Sequence, residues 1–422
     1  LRPAAPPHCW SALRVGVLML KTVVFLVSSL AGIAVAHAQP ALPDLRALFD
    51  AAWERSVAVQ ATEGRRLQAA ASRVQADSLI AGPPSVQLLH RGDSMTDSRG
   101  TRESEIAMAV PIWMPGQRAA RGDLADAEAA EAEAGAGLAR LNLAAEVRVR
   151  VWALAASEGE RDALRRRVQV AASLRDDVHR RVTAGDLART DLLLARQDHL
   201  AAEAQLVEAE ARVVEARARL QQATGVAQLP LRYLEIAAKP DDPSLHPLHP
   251  LVEGAQRTLL RAERQVGYLR ESRRDPPEVG VAYRTDRAGG GQPSDRTIGV
   301  FVRIPFATDA RNLPRETAAQ TELMTARADV QRTERVVRSD IDAATAALAL
   351  AERQLALNAE RSAALNERAA LLRKTFDFGE IGLTEALRAQ NQALEAEADL
   401  ARQRARHGLA IATLNQALGV LP

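Results

Sequence analysis

The chain says the same thing twice. "GDLARTDLLLARQ", from Gly185, and "GEIGLTEALRAQN", from Gly379, each open with glycine, an acid and an aliphatic residue, and each places a threonine and an acid at the same later positions. Continued without a gap, Gly185–Val226 and Gly379–Val420 are identical at 18 of 42 positions, with "LQQATGV" at 220–226 meeting "LNQALGV" at 414–420. Upstream, Pro83-Pro84 precedes "SVQLLHR" as Pro276-Pro277 precedes "EVGVAYR", and "AVPIW" at 109–113 meets "RIPFA" at 303–307, again 194 residues on. A period this long implies a duplicated structural unit and excludes a solenoid of short repeats. The units divide as a first repeat over 39–240 and a second over 241–422.

Ahead of them, residues 1–38 read as a signal peptide. Met19 is a natural start, Lys21 supplies a positive flank, "TVVFLVSSLAGIAVA" is an apolar run of signal length, and Ala36-His37-Ala38 fits the small-x-small cleavage pattern. Cys9, the only cysteine, precedes that cleavage point. On this reading the mature chain can hold neither a disulfide scaffold nor a thiolate metal site. Three of the 55 Lys and Arg residues and none of the 53 acids lie in 1–38, which leaves 52 against 53 and a mature net charge near −1. No basic excess points to nucleic acid. Aromatic residues make up only 3% and alanine is abundant, a composition for long, closely packed helices.

Each unit reads alike. A first helix covers about 44–80, or 250–274 in the second half, and a Pro-Pro pair ends it. Two short strands follow, at about 85–91 and 104–112, then 278–284 and 297–305, with period-two apolar rows such as Val279, Val281, Tyr283 and Ile298, Val300, Val302, Ile304. Polar, glycine-rich loops join them; the "GGG" there lacks the Gly-Lys-Ser/Thr continuation of a phosphate loop. Very long helices come next, about 116–182 and 314–377, the second carrying an apolar stripe from Val330 through Val337, Ala344, Leu348 and Leu355 to Phe376. About 65 residues at ~1.5 Å rise make a rod near ~100 Å long. Glycine turns at about 183–190 and 377–384 send a helix back. Leu193, Gln197, Leu200, Ala204, Val207, Ala211, Val214 and Ala218 form a four-three seam on the first return helix, and Leu387 to Ala412 repeat it on the second.

The strands are long enough to cross a hydrocarbon layer when tilted. Trp113, Tyr283 and Phe306 at or near their ends, with Phe301 inside, read as an interfacial girdle. The same strands fit equally a soluble sheet capping the helices. Four strands cannot close a membrane barrel alone, and lipid does not tolerate open edges, so a membrane role requires several copies to share one barrel.

Taken together, the leader, the duplicated helix–strand–strand–helix–helix unit, the proline after strand two ("VPIW", "IPFA"), the Gly-x-x-x-x-Thr-acid turn and the ending "LNQALGV" resemble the outer membrane factor family, the TolC-like efflux channels. The resemblance covers residues 44–421. It implies a mainly α protein with a small β part. Four strands per protomer would enter a trimeric transmembrane β-barrel, continued by a periplasmic α-helical barrel. The implied partners are two further copies, outer-membrane lipid, a periplasmic adaptor and an inner-membrane pump of the resistance-nodulation-division type. The turn "FDFGEIGLTEALRAQNQ" is most similar to the heavy-metal cation-efflux branch. Gly185 to Thr190 and Gly379 to Thr384 would be the periplasmic tips, with each threonine capping the returning helix. Asp191 and Glu385 would follow in its first turn, and Glu385 matches a family position where carboxylates narrow the tip. The second such position is Arg388, a departure that puts a double acidic ring in doubt. Adaptor-docking candidates are Asp186, Leu187, Glu380, Ile381 and Leu383; the aliphatic ones could equally pack the hairpin.

No catalytic constellation stands out, and no cofactor is implied. His90, His179, His199, His246, His249 and His407 include no i,i+4 pair; "HPLHP" at 246–250 sits in a proline-rich connector and reads as a helix start. The competing reading is a periplasmic or secreted coiled-coil scaffold with a soluble β cap.

Overall fold

The computed structural model describes residues 44–93, 95–96, 99–239 and 249–422; the leader expected over 1–38 and His246 lie outside them. The first unit builds α1 (Leu45–Arg55), α2 (Val57–Asp77), β1 (Ser85–Gly92), β2 (Arg102–Pro111), α3 (Gln117–Ala184) and α4 (Arg189–Thr224). The second builds α5 (Pro250–Glu271), β3 (Glu278–Arg287), β4 (Asp295–Arg303), α6 (Asp309–Asp377) and α7 (Leu383–Ala417). The continuous helix expected over 44–80 is broken. Ser56 adopts an extended backbone (φ −73°, ψ 138°), its N–H bonds Trp53 O at 3.0 Å to end α1, and its Oγ accepts from Ala58 N at 3.0 Å to start α2. A serine that satisfies one orphan group on each side makes such a break inexpensive. The helix α6 starts at Asp309, five residues ahead of the expected start, and carries Pro314 inside it.

Because α3 and α6 (68 and 69 residues) are about twice as long as α4 and α7 (36 and 35), each rod meets different neighbours along its length. Near the sheet the helices lie side by side as α2–α3–α5–α6; near the turns the order is α4–α3–α7–α6. The chain is thus a curtain four helices wide, with α2 and α4 on one border and α6 on the other. Small residues set the spacing. Gly408 on α7 lies under Trp152 of α3, so close that a Cβ there would be 1.8 Å from the ring. The α6 stripe from Val330 to Phe376 is buried or half-buried throughout.

One polar node ties the curtain to the segment after α4. Arg148 on α3, its side chain 2% exposed, donates to both oxygens of Glu235, to Gln416 Oε1 at 2.7 Å and to Val420 O at 3.0 Å. Asn415 adds bonds to Ile236 O and Ala238 N.

The strands form one antiparallel sheet in the order β1-β2-β3-β4, with β1 and β4 unpaired along their outer sides. Among the described residues no helix packs extensively on either face.

Candidate functional site: sheet face, open seams and tip

Residues directly paired across antiparallel strands share a face. The register therefore assembles three rungs on one side of the sheet: Val110–Val279–Val302, Val86–Met108–Val281–Val300 and Leu88–Ile106–Tyr283–Ile298. All are apolar but for the tyrosine hydroxyl, and several are strongly exposed, such as Leu88 at 76% and Val300 at 75%. Ile112 and Ile304 continue this face toward the helices and are also exposed. The opposite side is mostly small and polar, with Ala107, Ala109, Gly280, Ala282 and Gly299, then Glu105, Arg284 and Thr297, and with Leu89 and Phe301 as its large apolar residues. Soluble single chains rarely leave so large a contiguous apolar patch bare.

Among the girdle candidates, Tyr283 lies on the apolar face and Phe306 is 84% exposed just beyond β4. Trp113 is half-buried, its indole N–H donating to Ser78 O at 2.9 Å. Phe301 belongs to the other side. It pairs with Gly280 and lies over it, where a Cβ would come within 2.4 Å of the ring. One step of strand alternation separates it from the apolar row, so it cannot share a girdle with Tyr283.

The two return-helix seams have opposite fates. On α7, Leu387, Ala398, Ala405, Gly408 and Ala412 are buried against neighbouring helices. On α4, all eight equivalents from Leu193 to Ala218 are exposed, including Leu193 (57%) and Val214 (67%). The helix α7 docks on α3; shifting both by one repeat calls for α4 to dock on α6, yet these two helices are opposite borders of the curtain. The face of α6 equivalent to the one α3 offers α7 is bare as well: Ala346, Leu350, Arg353 and Leu357 are exposed.

At the turns, Gly185 (φ 89°) and Gly379 (φ 77°) take the left-handed conformation that glycine tolerates best. The next residue closes each helix: Asp186 N bonds Arg181 O at 2.9 Å, and Glu380 N bonds Thr375 O at 3.0 Å. The threonines are not caps. The chain becomes helical two residues earlier than expected, so Ala188 and Gly382 are the cap residues and Thr190 and Thr384 are exposed second helical residues. In the first turn it is Asp191, at the third helical position, that satisfies the backbone, accepting from Ala188 N at 3.2 Å. Glu385, its counterpart, is exposed over a shallow groove with Glu367, Arg368, Leu371 and Leu372, and Arg388 is exposed one turn on. Of the docking candidates, Asp186 and Glu380 are exposed, whereas Leu383 is 3% exposed inside a cluster with Leu174, Val178 and Phe376, against which Leu187 and Ile381 also pack.

Sequence reasoning missed the residues that bind the two turns together. Arg181 on α3 reaches Asp377 at 3.1 Å and Phe376 O at 3.1 Å, and Arg373 on α6 reaches Asp177 at 2.9 Å. Both guanidiniums lie over the Phe376 ring, 4.8 and 5.7 Å from its centroid. On a surface helix such charges look like any solvated pair; a phenylalanine in an aromatic-poor chain, at Phe376, is the one available signal.

Among the described residues no helix is long and apolar enough to cross a membrane, and no group of His, Cys, Asp or Glu side chains could hold a metal ion. A search of the curated proteins finds no match. Among solved structures, the fold is similar to the outer membrane protein VceC of Vibrio cholerae, with a TM-score of 0.71 and 16% identity over 89% of this chain and 96% of that one. It is similar to the Campylobacter jejuni CmeC outer membrane channel (0.70, 16%, 89% and 85%) and to the open state of the Neisseria gonorrhoeae MtrE outer membrane channel (0.62, 16%, 90% and 90%). At these identities the likeness establishes the fold, which is that of outer membrane channel proteins, and residues 31–226 match the family model described as outer membrane efflux protein.

Proposed function

We propose that this chain is the outer-membrane duct of a tripartite efflux system, working as a homotrimer. The observation that carries the reading is a four-stranded sheet with a broad apolar band on one face and, among the described residues, no helix over it and both edges unpaired. Water penalises that face, and lipid penalises those edges. Both penalties disappear if β1 of one copy pairs with β4 of the next inside a bilayer, where strands of 8 to 10 residues suffice to span. Three copies supply twelve strands, above the minimum of eight. The bare α4 and α6 seams close by the same rotation, so one head-to-tail operation completes sheet and curtain together. A soluble cap on a coiled-coil scaffold explains neither the uncovered face nor the missing repeat of the α3–α7 contact.

The duct is passive: transport energy comes from an inner-membrane pump, reached through a periplasmic adaptor that docks near the exposed Asp186 and Glu380. The tip opens when the Arg181–Asp377 and Arg373–Asp177 ties release and the hairpins swing apart. Glu385, present once per copy, would then concentrate cations at the mouth. That carboxylate, with the branch resemblance of the tip sequence, favours metal cations as cargo and a resistance-nodulation-division pump as partner.

The test uses cysteines placed by the internal duplication. Gly408 lies on Trp152; the 194-residue offset maps Gly408 back to Val214 and Trp152 forward to Ala346, so in the proposed trimer Val214 faces Ala346 of the neighbouring copy. Val214→Cys with Ala346→Cys should give covalent dimers and trimers in outer-membrane fractions under oxidation. Leu193→Cys with Ala346→Cys, roughly 30 Å out of register at ~1.5 Å per residue, should not. Recovery as an uncross-linked protein in a detergent-free soluble extract would defeat the proposal.

A further inference from the structure

The apolar face ends differently at its two extremes. Toward the helices it runs out through Ile112, Ile304 and Phe306. Toward the loops, the same face passes through His90, Ser104, Thr285 and Arg296 and then reaches Arg102 directly paired with Arg287. Two arginines opposed across adjacent strands repel each other. Arg296, on β4, is the diagonal neighbour of Arg287 and adds a third positive charge. All three are exposed, and among the described residues no carboxylate lies in an ion pair with any of them; Arg287 donates only to Ser294 Oγ, at 3.3 Å. The acids on these strands do not help. Strand alternation puts Glu103, Asp286 and Asp295 on the opposite face, where Arg284 (3.0 Å) and Arg91 (3.5 Å) hold Glu103.

We propose that Arg102, Arg287 and Arg296 bind the phosphate of an anionic lipid headgroup. This rests on the membrane reading of the sheet. Guanidinium forks match phosphate oxygens bidentately, and a phosphate shared by three neighbouring forks relieves their mutual repulsion. Its position at the edge of an apolar band selects a phosphate that is attached to acyl chains, so the hydrocarbon part lies along Ile298 and Tyr283 while the headgroup meets the arginines. Among the described residues the opposite end of the face has no such cluster. Arg303, the nearest candidate there, is on the other side of the sheet and paired with Glu278 at 3.0 Å. The site is therefore one-sided and takes lipid only from the leaflet farther from the helices, the outer leaflet when the helices are periplasmic.

The experiment compares full-length protein purified in detergent with its Arg102→Gln/Arg287→Gln variant, each exposed to bis-phosphorylated lipid A and read by native mass spectrometry. Phosphatidylcholine is the neutral comparison and Arg303→Gln the control substitution. The native chain and Arg303→Gln should retain lipid A through detergent exchange, and the double variant should retain roughly tenfold less, ~1.4 kcal/mol in free energy. Millimolar inorganic phosphate should not displace the lipid. Equal retention by the double variant, equal retention of phosphatidylcholine, or displacement by inorganic phosphate would each overturn the site while leaving the duct intact. A native chain that never reaches the membrane fraction would instead sink the functional reading. Should the double variant assemble poorly, Arg296→Gln alone gives the same discrimination.

Discussion

Gly408→Ala is the sharpest probe of how the curtain is held together. A methyl group built at Gly408 falls 1.8 Å from Trp152 Cη2 and 2.3 Å from Cζ2 and Cζ3. Carbon atoms rest at about 3.5–4.0 Å, so the ring would have to retreat by more than ~1.5 Å. It has little room. Trp152 is 4% exposed, boxed by Ala405 and Ala412, and stands edge-on to Tyr233 with centroids 5.4 Å apart. Overpacking of this kind costs about 1–3 kcal/mol. Against it stands the helix-propensity gain of alanine over glycine, about 1 kcal/mol. The net expectation is a loss of up to ~2 kcal/mol. With Trp152→Leu the ring is gone, and with it an indole N–H that is buried without a partner. In that background the methyl fits, only the propensity term remains, and Gly408→Ala should stabilise by about 1 kcal/mol. The two substitutions are thus coupled by roughly 2 kcal/mol, within the range for residues in contact. Thermal unfolding followed at 222 nm on the four proteins reads this as a reversal of sign in the midpoint shift. A higher midpoint for Gly408→Ala in the native background would show that the close α3–α7 approach is not a constraint, and the docking argument for α4 and α6 would lose its template.

Arg148→Met leaves Glu235 facing a nearly closed interior and removes the bonds to Gln416 and Val420, so the denaturation midpoint should fall by the equivalent of about 3–5 kcal/mol; Arg148→Met/Glu235→Leu should recover part of it. Burial holds the imidazole of His249, whose Nδ1 caps α5 at Leu251 N (3.2 Å), below its ordinary value, opposed by the backbone at Gln416 and Ala417. The unfolded chain then binds more protons, so this stabilisation is complete above pH ~6.5 and lost as pH falls toward the folded value; His249→Asn should flatten that part of the stability profile. If the duct reading holds, Glu385→Gln should lower cation preference in planar-bilayer recordings of the purified protein, and unchanged selectivity would remove the carboxylate from the proposed gate.

What could be read from sequence follows from the range of the forces involved. The α6 stripe is legible because burial on a rod obeys one period, and the strand rows because alternation fixes which residues share a face. The threonine caps were misplaced for a local reason. Thr-acid resembles the start of a helix, but Asp191 reaches back three residues to the Ala188 N–H and lets the helix begin before Thr190. Phe301 was misplaced because an aromatic residue within a strand says nothing of its face until register puts it opposite Gly280. Contacts between distant segments left still less trace. Arg148 meets Glu235 across 87 positions, and nothing in the α3 heptads distinguishes it from arginines that face water.

The duplication also explains why the two seams differ in side chains. The α7 seam meets α3 inside the chain, where the tether supplies proximity, and it can be small enough to admit Trp152 between Ala405 and Ala412. In the proposed trimer the α4 seam has to recruit its partner from solution and offset the entropy of association. It carries Leu193, Leu200, Val207 and Val214, while α6 offers Leu350, Leu357 and Leu371 with Ala346 as a recess. Large aliphatic side chains contribute about 1.5–3 kcal/mol each when fully buried, so even half-burial of these seven yields roughly 5–10 kcal/mol per interface before association costs. A lone chain forgoes that term on both borders and exposes the sheet face besides. Its curtain has no second layer to lean on. If the trimeric duct proposed above holds, folding of the hairpins, closure between copies and entry of the strands into lipid are linked equilibria, and the stability of one protomer has no value independent of its neighbours.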